Sequence, residues 1–217
     1  VTVVCHEVGK TTKRLGSLKE GDSILDLLGP LGKPAEIEKF GTVLCVGGGV
    51  MVAPLHFQAK AFHEVGDKVI GVIGARTESQ LIFENEMREV CDEVCVATDD
   101  GTKGYKGLDF LKDLLKERKI DRVIAMGPVI MMKTVSELTR PHDVPTIVNL
   151  IPVMVDGMGM CGACRVTVGG KTMFACVDGP DFDGHQVDFE ELMARLKMYA
   201  AQEKLAFVFY EKGGRRL

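Results

Sequence analysis

The chain has 217 residues, 46% of them apolar and 27% charged, with a formal net charge of −4. That composition builds a core and sets aside disordered and collagen-like readings, while the acidic balance offers no field for a phosphate backbone. Aromatics at 6% and the absence of tryptophan also argue against stacking platforms for single-stranded nucleic acid. The chain opens at Val1 in a β-branched run, which predicts no signal peptide, a missing N-terminus and a cytoplasmic location.

Three textures follow one another. Residues 1–37 carry a short predicted strand, Val1-Thr2-Val3-Val4, and two turn-rich stretches, Gly9-Lys10-Thr11-Thr12 and Gly29-Pro30-Leu31-Gly32. So few residues cannot bury a core of their own, and they read as the end of a β domain. Residues 38–150 alternate strands (Thr42–Val46, Lys68–Ile73, Glu93–Ala97, Arg122–Met126, Thr146–Leu150) with helices (Met51–Glu64, Ser79–Val90, Leu108–Lys119, Val129–Thr139). Short β-branched strands alternating with helices predict an α/β fold, a parallel sheet covered on both faces. The longest uncharged apolar stretch, Val43 to Leu55, holds three consecutive glycines and a proline and falls short of a membrane span. Residues 151–200 hold a cysteine cluster and then a helix, Phe189–Ala201, with Asp188 and Glu191 placed as a capping box. The tail, residues 201–217, includes an apolar strand-like run from Leu205 and a basic tip, Leu217 being last.

Seven cysteines are an odd number for a disulfide framework, and in a reducing compartment clustered cysteines point to metal or redox chemistry. The sharpest signal is Asp156-Gly157-Met158-Gly159-Met160-Cys161-Gly162-Ala163-Cys164, followed by Cys176. C-x2-C-x11-C suits a [2Fe–2S] cluster, zinc with a fourth ligand, or buried structural thiols beside a surface aspartate. A second C-x2-C, usual in zinc knuckles, is missing. The plant-type cluster spacing is C-x4-C-x2-C with a distant fourth cysteine, and the chain meets it with Asp156 in first place. Glycines let such a loop bring its N–H groups close to an anionic cluster. A carboxylate oxygen is a harder donor than thiolate, so ligand exchange or an altered potential is expected.

A second signal is the strand from Val43 ending in Gly47-Gly48-Gly49 before a helix, where N–H groups can face a pyrophosphate. The spacing is not G-x-G-x-x-G, and a plain tight turn is an equal reading. Gly127-Pro128 ends a later strand, where a ligand sits in an open α/β sheet. Thr98-Asp99-Asp100-Gly101 also follows a strand end and reads first as a solvated turn. Cys5, Cys91 and Cys95 are expected to pack as small hydrophobes, and Cys45 to pack in the core rather than approach a cofactor. His56 and His63 read as ordinary helix residues, and Met131 and Met132 as core fillers.

Together these stretches resemble the small subunits of NADH-dependent ferredoxin:NADP oxidoreductases, or sulfide dehydrogenases, in the ferredoxin-NADP-reductase superfamily. The residues carrying the resemblance are Gly29-Pro30-Leu31-Gly32, Gly47-Gly48-Gly49, Gly74-Ala75-Arg76-Thr77, Asp99-Asp100-Gly101, Gly127-Pro128 through Met132, and the run from Met154 to Phe189. The related dihydroorotate dehydrogenase electron-transfer subunit has cysteine where this chain has Asp156, which favours the first family. The resemblance implies a flavin-binding β-barrel end over 1–37, an NAD(P)-binding domain over 38–150 and a [2Fe–2S] domain over 151–200. It implies Asp156, Cys161, Cys164 and Cys176 as cluster ligands, and Gly9, Thr12, Gly29, Pro30, Leu31 and Gly32 on the FAD side. It further implies Gly47, Gly48, Gly49, Arg76, Asp100, Gly127, Pro128 and Met131 around the nucleotide. The superfamily's R-x-Y/T-S-like flavin motif does not occur in the chain. Arg76 suits a 2′-phosphate and Glu78 opposes it; the resemblance implies NADH. The implied partner is a larger flavin and iron–sulfur subunit in a heterodimer, with ferredoxin reached indirectly. The rival from another class is a non-catalytic iron–sulfur adaptor that binds no nucleotide.

Overall fold

Alternate residues of the central strands are apolar on both sides, and the chain uses both sides. A computed structural model of the chain describes residues 1–212. Its main sheet has seven strands: β1 Thr42–Gly48, β2 Lys68–Ala75, β3 Glu93–Thr98, β4 Tyr105–Lys106, β5 Arg122–Met126, β6 Thr146–Asn149 and, from the third region, β9 Asp181–Asp183, in the order β4-β3-β2-β1-β5-β6-β9. All neighbours run parallel except the antiparallel pair β6 and β9. Between β6 and β9 the chain makes a separate hairpin, β7 Arg165–Val168 with β8 Lys171–Phe174.

One face of the sheet (Leu44, Val46, Ile70, Val72, Val123, Ala125) packs with α4 Leu111–Glu117, α5 Val129–Thr139 and the core of the cysteine region. The other face (Val43, Cys45, Val69, Ile73, Ile124, Met126) packs with α2 Val52–Glu64 and α3 Glu84–Val90. Both faces are therefore dry, as the β-branched runs predicted. The remaining helices are α1 Lys10–Gly16, α6 Ala175–Asp178, α7 Phe189–Leu196 and α8 Ala200–Glu211. No described helix is long and apolar enough to cross a membrane.

Several expected elements differ. Val1–Val4 forms no strand, and Val1, Val3 and Val4 are exposed; a lone strand has no ladder partner there. Gly9–Thr12 is the first turn of α1 rather than a free turn, with Gly9 N donating to Thr12 Oγ1 at 3.0 Å. The helix expected over Ser79–Val90 starts only at Glu84, because Leu81, Ile82 and Phe83 pack against the α2-side core and Phe83 takes φ 60°. The helix expected from Leu108 begins at Leu111, where Phe110 stacks on Tyr105 at 4.0 Å. The helix expected over Phe189–Ala201 breaks into α7 and α8.

The strand-like run from Leu205 is helical as far as Glu211. No sheet edge receives it; instead it packs on α1, with Lys13 over the Phe207 ring and 3.0 Å from Glu211. The basic tip expected beyond it, residues 213–217, lies outside the described residues. Asp188 caps α7, its Oδ1 accepting from Glu191 N at 2.9 Å, but the box is only half made: Asp188 N donates to Thr167 O.

Candidate functional site

The order of the sheet places a topological switch between β1 and β5, where connections leave in opposite directions, and ligands of open α/β sheets bind beyond the strand ends there. The sequence puts glycine at both ends. A Cβ on Gly48 would lie 2.7 Å from Met131 Sδ, and one on Gly127 2.7 Å from Met131 Cε and 3.2 Å from Gly48 Cα. The two backbones meet because neither carries a side chain, and Met131 lies over the seam. Gly49 turns out at φ 58° into open space before α2 begins. Gly47, Gly48, Gly49, Gly127, Pro128 and Met131 are thus brought together at one rim, a cradle that fits a dinucleotide approaching by its backbone side.

Arg76 stands exposed just past β2, with no carboxylate in ion-pair range among the described residues. Glu78 is drawn instead to Lys103 at 3.7 Å, and its N–H donates to Thr102 Oγ1. Asp100 closes its own turn: Oδ1 accepts from Thr102 N at 3.0 Å and Thr102 Oγ1 at 2.7 Å. Those bonds, the Thr102 amide first, hold its carboxyl below the usual aspartate range.

The cysteine loop leaves β6 and returns through the β7–β8 hairpin to α6. Gly157, Gly159 and Gly162 sit at φ 75°, 85° and 67°, turning successive N–H groups inward. Asp156 collects three of them: Met158 N on Oδ1 at 2.9 Å, Met160 N at 3.1 Å and Cys161 N at 2.7 Å on Oδ2. The Met158 amide leads the causes that lower its pKa, and the Cys161 thiol also bonds to it. Cys164 and Cys176 are buried with their sulfurs 3.2 Å apart. Burial, then the Cys164 bond, raises the Cys176 thiol, while the Gly159 amide lowers it. Ala163 N donates to Cys161 Sγ at 3.4 Å.

The donors thus form two linked pairs, Cys164 with Cys176 and Asp156 with Cys161. Among the described residues no three or more His, Cys, Asp or Glu side chains already close around one point. Three soft thiols, one carboxylate and inward loop amides nevertheless fit the chemistry of an iron–sulfur cluster. Sequence reasoning missed two supports of this loop: Arg195 of α7 donates to Ala163 O at 3.0 Å, and Asp178 holds the Phe174 amide at 2.8 Å at the start of α6. Each is a lone charged residue, with no spacing signal to mark it.

Other residues stay apart from these sites. Cys45 is buried in the core as expected, while Cys5 is exposed, contrary to the expected packing. His56 lies on α2 with its ring 5.7 Å from that of Phe83. Of the residues expected on the FAD side, Gly29 faces open space and Gly32 meets Gly179. Residues 1–41 supply these loops and α1 but no strand.

Residues 152–188 match the model of the iron–sulfur cluster binding domain of dihydroorotate dehydrogenase B. The chain is 52% identical over 207 residues to the dihydroorotate dehydrogenase B (NAD(+)) electron transfer subunit homolog of Thermotoga maritima, covering 94% of this chain and 73% of that one. It belongs to the dihydroorotate dehydrogenase B electron transfer subunit family. A second member, the electron transfer subunit of Bacillus velezensis, is 36% identical, covering 86% of this chain and 74% of that one. A solved structure of the NADH-dependent reduced ferredoxin-NADP oxidoreductase, studied for flavin-based electron bifurcation, aligns with TM-score 0.87 and 51% identity over 96% of this chain and 75% of its own. Membership of an electron-transfer family sets the non-catalytic adaptor aside. The α/β architecture is shared with that solved structure, and the cysteine loop lies within the matched residues 152–188.

Proposed function

We propose that the chain carries electrons between NAD(H), FAD and a [2Fe–2S] cluster to a larger flavin and iron–sulfur subunit, within bifurcating NADH-dependent ferredoxin-NADP oxidoreduction. The observation that carries this reading is one sheet bearing both a glycine-lined nucleotide rim and, on its edge, a three-cysteine, one-aspartate loop. When bound, FAD takes hydride as an electron pair and the cluster relays electrons singly.

The residues divide the work. Asp156, Cys161, Cys164 and Cys176 hold the cluster, and the loop amides and Arg195 keep that loop folded. Gly9, Thr12 and the loop Gly29 to Gly32 hold the flavin side. Gly47 to Gly49, Gly127, Pro128 and Met131 admit the dinucleotide, with Arg76 and Asp100 on its rim. The proposed units are residues 1–37, 38–150, 151–200 and the tail 201–217, and the proposed location is the cytoplasm.

Anaerobic purification should give bound iron, sulfide and FAD whose absorption bleaches with NADH. A chain that holds iron but is reduced by neither nicotinamide nucleotide would refute the reading; tighter NADPH binding, with Arg76 taking a 2′-phosphate, would reverse the choice of NADH. A second reading, delivery of electrons from dihydroorotate to NAD, is favoured by the family of the matched segment and the names of the curated relatives. Asp156, where that family's pattern has cysteine, favours the first. Dihydroorotate oxidation by the co-purified partner would select the second.

A further inference from the structure

Two glycines far apart in the chain meet between the FAD-side loop and the cysteine loop. Gly32 has φ 76°, and a Cβ on it would lie 2.5 Å from Gly179 O and 3.4 Å from both Gly179 C and Pro180 Cδ. The following residue closes the contact, Lys33 N donating to Gly179 O at 2.7 Å. The preceding residue reaches the other end of the cysteine segment: Leu31 Cδ1 lies 3.2 Å from where a Cβ on Gly157 would sit. Residues 31–33 therefore touch the loop beside Asp156 and, through Gly179, the end of α6, the helix that carries Cys176.

Gly179 has little room to retreat. A Cβ on it would overlap the Phe182 ring and lie 3.1 Å from Ala175 O, and the next carbonyl, Pro180 O, accepts from Leu150 N at 2.9 Å. A push at Gly32 is therefore passed to α6 rather than absorbed, since packed segments transmit strain.

We propose that Leu31, Gly32 and Lys33 are positioning residues, a clasp that sets the Asp156–Cys164 loop and the Cys176 helix against the FAD-side loop. The clasp rests on the reading given above, in which residues 29–32 face FAD and Asp156, Cys161, Cys164 and Cys176 hold the cluster. It acts through backbone contacts and one exposed leucine, so it fixes the separation and mutual orientation of the two centres without touching the reacting atoms.

The test uses the flavin- and cluster-loaded protein with its partner subunit. Gly32→Ala should alter the paramagnetic spectrum of the reduced cluster and slow flavin-to-cluster transfer, followed by rapid mixing with NADH. Leu31→Ala removes an exposed side chain without backbone strain, and should change both readouts in the same direction by less. If Gly32→Ala fails to fold, Leu31→Ala decides alone. Wild-type spectra and transfer rates in the folded variants would overturn the clasp while leaving the functional reading intact. A wild-type protein without a two-iron cluster would overturn that reading and the clasp with it.

Discussion

Asp156 accepts three backbone N–H groups, one on Oδ1 and two on Oδ2. A carboxylate offers about four lone-pair sites, so the three amides leave one, which the Cys161 thiol takes and which opens to a metal once that thiol is itself a ligand. Replacing Asp156 by Cys should keep a two-iron cluster and shift its reduction potential, because ligand type and net charge set that potential; a redox titration with paramagnetic detection reads the shift. Asp156→Ala with unchanged spectra would show that the carboxylate is no ligand. Thiol exposure gives a separate expectation. Cys45 and Cys91 are held protonated by burial, Cys91 pushed up to about 12, whereas Cys5 and Cys161 are exposed. Thiolate is the reactive species, so brief alkylation followed by mass spectrometry should label Cys5 first. Cys161 should join it only after iron is removed, and Cys45 and Cys91 only after denaturation.

At the scale of the elements, three strands begin on one device. Asp67, Asp92 and Asp121 each precede a strand, and each accepts the backbone N–H of a neighbouring chain start: Phe40 and Gly41 on Asp67, Val69 on Asp92, Thr42 on Asp121, all at 2.7–2.9 Å. Asp67 is 4% exposed and serves two amides, so Asp67→Ala should cost about 2–3 kcal/mol in urea unfolding, as for buried donors deprived of a charged acceptor. Asp121 adds a pH term. Lys119 and then the Thr42 amide hold its folded pKa below the unfolded value. Its contribution is therefore complete above about pH 4, the unfolded aspartate value, and is lost as pH falls through the lower folded value. The acid limb of wild-type stability below pH 4 should flatten in Asp121→Asn.

The device was open to sequence reading as Asp67-Lys68-Val69, Asp92-Glu93-Val94 and Asp121-Arg122-Val123, yet no periodicity count weighs the residue before a strand. The strands themselves were legible because burial on both faces writes them as short β-branched runs. The tail misled because Leu205-Ala206-Phe207-Val208-Phe209-Tyr210 is apolar without a break, a pattern shared by buried strands and helices. The cysteine cluster was legible since its spacing is local, and the Gly32–Gly179 contact was not, since only the folded chain joins those positions.

For the whole molecule, the apolar side chains around the cysteine loop, Val155, Met158 and Met160 among them, remain exposed, Met160 at 82%. A family of electron-transfer subunits hands its electrons to another polypeptide, and a stable interface buries well over ~1,000 Å² with an apolar centre. Co-purified protein should therefore have the mass of a heterodimer in solution. Met160→Glu should weaken association about five- to thirtyfold, the scale of losing one anchor at about 1–2 kcal/mol. Equal affinity in that variant would place the partner on another face.

The cysteine segment departs at Asn149 and returns at Asp181, two residues that lie side by side as partners in the β6–β9 pair. Topologically it is a detour with its entrance and exit at the same doorstep, so dependence runs one way. Stripping the iron can loosen the detour while the sheet stays closed across Asn149 and Asp181, but melting the sheet carries away the two edge strands between which the detour is strung. A calorimetric trace of the iron-free protein should thus keep the sheet's transition almost in place, and no condition should release the nucleotide sheet first and leave the iron bound.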